Sequence, residues 1–388
     1  MDTLARFKAV FLGEPIDRPP VCGWIGMPLL VRLTGSSGDR QLLESVIDDP
    51  SIVIQTQLDL GLDPIIVTVD DRWFSMHVYW RLLYDHAEED LATWRVTTKA
   101  VPNGDFTTYH FTAETPEGPI TWGYDVGNDQ VGELERPLKT MHDLELLSRY
   151  MPAPEALQQD RLTELVRRVG SDAFIMHNFI GVWGEAANMR GLVDLCTDIF
   201  DQPELVHSVS EFLTERSIRR VRHLAQTGVH SILYDQSWVG VGLSPEHYRE
   251  FIKPYDQRVV AAARESGLLV SYHNCGRGTA ILEDMVECGA HALETLTPKE
   301  SSGDFDLADV KHRVGDRVTL NGGFNERVLA TATPAQAREA ALRCLEAAAG
   351  GGRYILRTTG QVFEANPGTI EAFAGAAREF AYAGAATV

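Results

Sequence analysis

Eight short runs rich in β-branched and aromatic residues recur along this chain, each followed by a segment long enough to be a helix. That alternation limits the fold more than any other feature. The runs are PPVCGW near residue 20, DPIIVTV near 64, AFIMHNF near 173, SILYDQ near 231, LLVSYHN near 268, ALETL near 292, VTLNGG near 318 and RYILRT near 353. Strand-sized runs alternating with helix-sized segments are the signature of βα units on a parallel sheet. One of those segments, SPEHYREFIKPYDQRVVAAARESG, has Ser244 as its expected N-cap and Gly267 as its stop. Eight units predict an α/β fold, a (β/α)8 TIM barrel. No glycine-rich dinucleotide fingerprint follows the first run, which argues against an open doubly wound sheet.

One stretch breaks the period. TWRVTTKAVPNGDFTTYHFTAETPEGPITWGYD alternates polar and apolar residues, with turn signals at Asn103-Gly104 and Pro116-Glu117-Gly118. It predicts an antiparallel β excursion after strand two, a hairpin insertion at about 93–125 within a single barrel domain of residues 1–388. MPAPEALQQD then reads as a proline-marked link into the next helix.

Composition narrows the setting. With 55 acidic against 35 basic residues, a formal net charge of -20, the chain offers no basic field for a phosphate backbone, so nucleic acid is not an expected partner. The five cysteines (Cys22, Cys196, Cys275, Cys288 and Cys344) are odd in number and scattered, the pattern of free thiols in a reducing compartment. No apolar stretch reaches membrane-spanning length, and MDTLARFKAVFLGEP is too charged for a signal peptide. A cytoplasmic protein without a membrane partner is expected. Association into a homo-oligomer stays open.

Chemistry in such a barrel belongs at the C-terminal ends of the strands. Reading those ends in order gives Trp24, then Asp70 and Asp71, then His177 and Asn178, then Tyr234, Asp235 and Gln236. His273 and Cys275 follow strand five, Glu294 strand six, Asn321 strand seven, and Arg357 and Thr358 strand eight. Residues at i and i+2 on a strand share a face, so His273 and Cys275 can aim at one point. That is how a soft metal is held, and a buried histidine beside a cysteine acting as a small core residue reads the same way.

HNCG, followed by RGTAILEDMVECGAHALE, resembles the uroporphyrinogen decarboxylase superfamily, in particular its methylcobamide:thiol methyltransferase branch. RFKAVFLGEPIDRPPV, LSPEHYREFIKPYDQRVV, VTLNGGFNE and GGRYILRTTGQVFEANPGTIEAFAGAARE are similar to other stretches of that superfamily, so the resemblance covers most of the chain. In the methyltransferase branch the histidine and cysteine bind zinc together with a second cysteine after the last strand. Here ILRTTGQV puts Arg357, Thr358, Thr359 and Gly360 in that place. The decarboxylase branch carries an arginine-rich stretch after strand one, where CGWIGMPLLVRL offers only Arg32. Asp70 lies near that branch's strand-two aspartate.

The resemblance implies a zinc ion on His273 and Cys275, with Glu294 the expected third ligand and Cys288 a lesser candidate, since ILEDMVECG places it on a helix. Related cobalamin-independent methionine synthases likewise use His-x-Cys, a glutamate and a distant cysteine. Asp70, His177 and Asp235 are the expected catalytic acids, bases or orienting groups. Trp24, Asn178, Tyr234, Asn321 and Arg357 are the expected substrate-binding residues, although Tyr234 as a pocket wall and Arg357 in a salt bridge to Asp235 or Glu294 are equally ordinary roles. A guanidinium at a barrel mouth suits an anionic substrate.

The expected function is zinc-dependent methyl transfer or demethylation between a small molecule and a corrinoid (cobalamin) or tetrahydrofolate carrier. No DxHxxG cobalamin signature occurs in the chain, so a corrinoid would arrive free or on a partner protein. The alternatives are a metal-independent decarboxylase of an anionic substrate, with Asp70 and Arg357 polarising it, and a non-catalytic barrel that binds a corrinoid or tetrapyrrole.

Overall fold

The period of two along each strand decides which side chains fill the barrel and which meet the helices. The structure, a computed structural model, describes residues 1–36, 38, 49–69, 90–127, 131–156, 159–240 and 242–380. The barrel strands are β1 (Val21–Cys22), β2 (Ile65–Val69), β8 (Phe174–Ile180), β9 (Ser231–Asp235), β10 (Leu269–His273), β11 (Ala292–Thr295), β12 (Thr319–Gly322) and β13 (Tyr354–Arg357). All pairings among them are parallel, in the spatial order β1-β13-β12-β11-β10-β9-β8-β2. Each of the eight predicted strands is present where the sequence put it, and the barrel is the fold.

Inward-facing Cys22, Ile65, Phe174, Met176, Leu233, Leu269, Ala292 and Ile355 form one apolar cluster with Phe7, Val10 and Phe11. The last three belong to the helix Thr3–Leu12, which closes the N-terminal end of the barrel. Phe7 and Phe11 lie 4.8 and 5.5 Å from the Phe174 ring, and Thr319 Oγ1 donates to the Val10 carbonyl (2.6 Å). Burying an aromatic side chain of this kind stabilises by about 1.5–3 kcal/mol. One end of the barrel is therefore sealed with hydrocarbon, and the polar strand ends gather at the other.

β1 and β2 share no ladder, and Asp63 joins them instead. Its backbone N–H donates to the Val21 carbonyl (2.7 Å), and its Oδ2 accepts from the Val21 N–H (2.8 Å). Arg6 and Arg18 hold the same carboxylate at 2.8 and 2.6 Å. An aspartate buried at this depth is tolerable because two cations and a backbone donor satisfy it.

The excursion is larger than the hairpin predicted. β3 (Asp90–Leu91), β4 (Trp94–Asn103), β5 (Phe106–Thr115), β6 (Gly118–Val126) and β7 (Val131–Glu135) form a five-stranded antiparallel sheet. Its flanking strands escaped notice because Asp90–Leu91 is two residues long and VGELE carries a glycine and two carboxylates in place of a β pattern. Trp94, Phe111, Trp122 and Tyr124 give the sheet a buried face. The predicted single helix after Ser244 is two, Pro245–Phe251 and Lys253–Glu265, because Pro254 lacks an N–H and its ring crowds the preceding turn. Ser244 does cap the first, accepting from the His247 N–H at 3.2 Å. No helix among the described residues is long and apolar enough to cross a membrane.

Candidate active site

Strand register assembles the site. Parallel pairing sets Asp235 beside His273, His273 beside Glu294, and Glu294 beside Asn321, so four polar residues form one row across β9 to β12 on the inward face. Arg357 ends β13, the next strand round. Trp24, just past β1, completes the arc: its ring lies edge-on to His273 at 5.8 Å and 5.4 Å from the Arg357 guanidinium carbon. The Trp24 N–H donates to Thr358 Oγ1 (3.0 Å), which ties the end of β1 to the end of β13.

His273 has a different partner at each ring nitrogen. Nε2 stands 3.1 Å from Cys275 Sγ, and Nδ1 faces Glu294 Oε1 at 3.6 Å, an electrostatic contact longer than a hydrogen bond. Burial disfavours the charged imidazolium, but Cys275, Asp235 and Glu294 outweigh it and raise the His273 pKa well above its ordinary value. Glu294 is itself fully enclosed. Its Oε1 meets Arg357 Nη1 at 2.7 Å, and its Oε2 accepts from Ser271 Oγ (3.1 Å) and Asn321 Nδ2 (3.0 Å). Burial would raise the Glu294 pKa, yet Arg357, His273 and Ser271 together hold it below the usual carboxylate value.

This geometry corrects the expected ligand set. Glu294 sits behind the imidazole, at the nitrogen remote from Cys275, and its charge is already matched by Arg357. Among the described residues no three His, Cys, Asp or Glu side chains group as a metal site. Cys288 is buried in the helix layer, its Sγ 3.5 Å from Tyr248 Oη, and burial pushes its pKa up. The pair His273 Nε2 and Cys275 Sγ does fit zinc in donor type and convergence, and a carboxylate behind the other ring nitrogen is the usual support for a metal-bound histidine. It supplies two of the three protein ligands that a catalytic zinc takes.

Two further expectations are corrected by the pleat. Tyr234 lies between inward Leu233 and inward Asp235, so it points out of the barrel; its hydroxyl donates to Asp256 Oδ1 (2.8 Å) on the helix Lys253–Glu265. It does not line the mouth. His177 likewise follows inward Met176, and its Nδ1 pairs with Thr68 Oγ1 (2.8 Å) on the outward face. Asn178 is next in the alternation and faces inward. Asp235 remains at the mouth, with Oδ1 accepting from the Ser237 N–H at 3.0 Å. Asp70 lies outside the described residues, as does Asp71.

The sequence reading missed Ser271 and Asp256. Ser271 was detectable, since it precedes His273 by two residues and so shares its face. Asp256 had no such signal. This fully buried carboxylate accepts from Tyr234 and, at 2.5 and 2.7 Å, from Gln236 Nε2 and Tyr272 Oη, which are the chain neighbours of Asp235 and His273. The loops above them pack closely as well: a Cβ on Gly240 would lie 1.9 Å from the Arg277 carbonyl oxygen, so only glycine brings the loop after Asp235 against the loop carrying Cys275.

Comparison with known proteins agrees with this architecture. Over 238 residues the chain is 25% identical to uroporphyrinogen decarboxylase from Aeromonas salmonicida, a match covering 57% of this chain and 63% of that one. It is 35% identical to the Thermus thermophilus enzyme over 95 residues, 24% of this chain and 27% of the relative. The chain thus spans less than two thirds of the length of these curated relatives. A methyltransferase from Methanosarcina mazei has the same fold, with a TM-score of 0.67 over 98% of this chain and 99% of that one at 18% identity. The family model for uroporphyrinogen decarboxylase (URO-D) matches residues 120–380, and the chain belongs to that family.

Proposed function

We propose that this barrel is a methyltransferase or demethylase that acts on a small molecule, with His273 and Cys275 as its zinc-binding pair. The observation that carries the reading is the pairing of His273 Nε2 with Cys275 Sγ, 3.1 Å apart at the C-terminal end of the barrel, while Glu294 backs the other ring nitrogen. A nitrogen–sulfur pair is soft, and soft donors select zinc over magnesium or calcium. Zinc, when bound, makes a coordinated thiol or hydroxyl a nucleophile at neutral pH.

The protein's own residues prepare that site. Glu294 orients the His273 ring, and Arg357 neutralises Glu294 so that a carboxylate can remain charged in a dry setting. Asp235 adds a second negative charge beside the imidazole. The Trp24 ring lies against both His273 and Arg357 and adds an aromatic wall beside them. The methyl carrier would be a corrinoid or tetrahydrofolate, free or borne by a partner protein.

The test is methyl transfer itself. The purified protein, with a reduced corrinoid and a panel of methylated small molecules, should generate the methylcorrinoid absorbance spectrum; Cys275→Ser should not. The family relatives favour a second reading, metal-independent decarboxylation. Carbon dioxide release from a carboxylated substrate by a metal-free preparation would select it over methyl transfer.

A further inference from the structure

Arg357 is fully buried, and only one edge of its guanidinium is engaged. Nη1 meets Glu294 at 2.7 Å and Met176 Sδ at 4.0 Å, whereas Nε and Nη2 have no hydrogen-bond partner among the described residues. Those two atoms form the side-on edge, with parallel N–H bonds spaced to match the two oxygens of a carboxylate. The chain shows this use elsewhere. Arg6 on Asp17, Arg167 on Glu164, Arg219 on Glu155 and Arg313 on Glu283 each place Nε and Nη2 on both oxygens of one acid, at 2.6–2.8 Å. At Arg357 the same edge is unpaired among the described residues, buried, and located at the end of a barrel strand.

Buried donors are nearly always satisfied, and a charged group left half-satisfied is the costliest exception. We infer that the Nε/Nη2 edge of Arg357 is the subsite for a substrate carboxylate, held in a planar two-point contact beside Trp24. The inference rests on the barrel mouth being the substrate site, and it names the substrate class: a small carboxylic acid. Glu294 makes the subsite specific. By occupying Nη1 it fixes the plane of the guanidinium, so an incoming acid is offered one edge in one orientation. A lysine at this position would keep the charge and lose the fork.

The binding can be read in the wild-type protein with benzoate, its neutral analogue benzamide, and inorganic phosphate as probes. Trp24 lies 5.4 Å from the guanidinium and reports occupancy through its fluorescence, with calorimetry as the independent measure. Benzoate should bind at least about tenfold more tightly than benzamide and than phosphate, and Arg357→Lys should lose that margin, the scale of a charge-assisted bidentate contact. Equal binding of benzoate and benzamide, tighter binding of phosphate, or an unaltered benzoate preference in Arg357→Lys would each overturn the inference. The comparison of probes needs no variant, so it decides the matter even if the variant fails to fold. Zinc content and methyl transfer measured on the same preparation keep the two claims apart: methyl transfer without carboxylate preference removes this subsite and leaves the proposed function standing.

Discussion

Glu294 Oε1 lies 2.7 Å from Arg357 Nη1 and 3.6 Å from His273 Nδ1, so one buried carboxylate couples the cation ending β13 to the imidazole ending β10. Removing one partner of such a pair strands the other. Glu294→Gln should destabilise the protein by about 3–5 kcal/mol in urea denaturation. Combining it with Arg357→Met should recover most of that loss, because an apolar replacement of a whole buried pair is close to neutral. A double variant as unstable as the sum of the two single variants would show that the residues do not act as a pair. Glu294→Gln should also weaken zinc by about ten- to a hundred-fold, the effect of losing an orienting carboxylate behind a ligand.

Asp256 gives a pH prediction. Burial raises its pKa to about 7 from an ordinary 3.8, although Tyr272, Tyr234 and Gln236 donate to it. Between those values the folded chain holds a proton that the unfolded chain has released, so this group's contribution to stability falls as pH rises from about 4 to about 7. Full titration over such a shift is worth on the order of 4 kcal/mol. His230 and His291, pulled down to about 4 from an ordinary 6.5 by burial, oppose it over most of that range, so the measurement is a difference. Relative to Asp256→Asn, the wild type should lose stability across that window. The variant's amide is tolerable because the Tyr272–Tyr248 hydroxyl pair, 2.9 Å apart, can reverse its donor direction. Parallel stability curves for the two proteins would refute the assignment.

Asp63 is the clasp between β1 and β2. Asp63→Ala would remove the side-chain acceptor of the Val21 N–H and the carboxylate partner of Arg18, and would leave Arg6 with the Asp17 carboxylate alone. A loss of about 3–5 kcal/mol is expected, as for any broken buried ion pair. Substrate KM should hardly move in protein that remains folded, because the clasp is at the opposite end of the barrel from His273. A large KM change with little loss of stability would mean that the two ends are coupled.

Much of the site could be read from the chain because parallel strands end in register. HNCG, ALETL, VTLNGG and RYILRT each gave an inward polar residue once their strands were recognised, and His273, Glu294, Asn321 and Arg357 do meet. Sequence could not supply the partner at each atom. That Glu294 faces Nδ1, while Cys275 takes Nε2, depends on ring orientation, which no spacing encodes. Tyr234 and His177 have a simpler explanation: at a strand end any polar residue can be read as facing the mouth, and only the alternation from Leu233 and Met176 shows that these two point out of the barrel. Asp256 was hidden because its three donors come from β9, the residue just after it and β10, while it sits on the helix between them in sequence.

The central claim is that His273 and Cys275 hold one zinc ion, and metal analysis of the purified protein tests it most directly. Zinc should be present at close to one per chain in the wild type and fall below about a tenth of that in Cys275→Ser, since Cys275 is one of the two ligands identified and the only thiolate between them. Cys275 is partly exposed, and its Sγ contacts His273, so the variant should unfold at nearly the same urea concentration as the wild type. A folded Cys275→Ser protein that keeps its full zinc content, or a wild type that transfers methyl groups without zinc, would contradict the account.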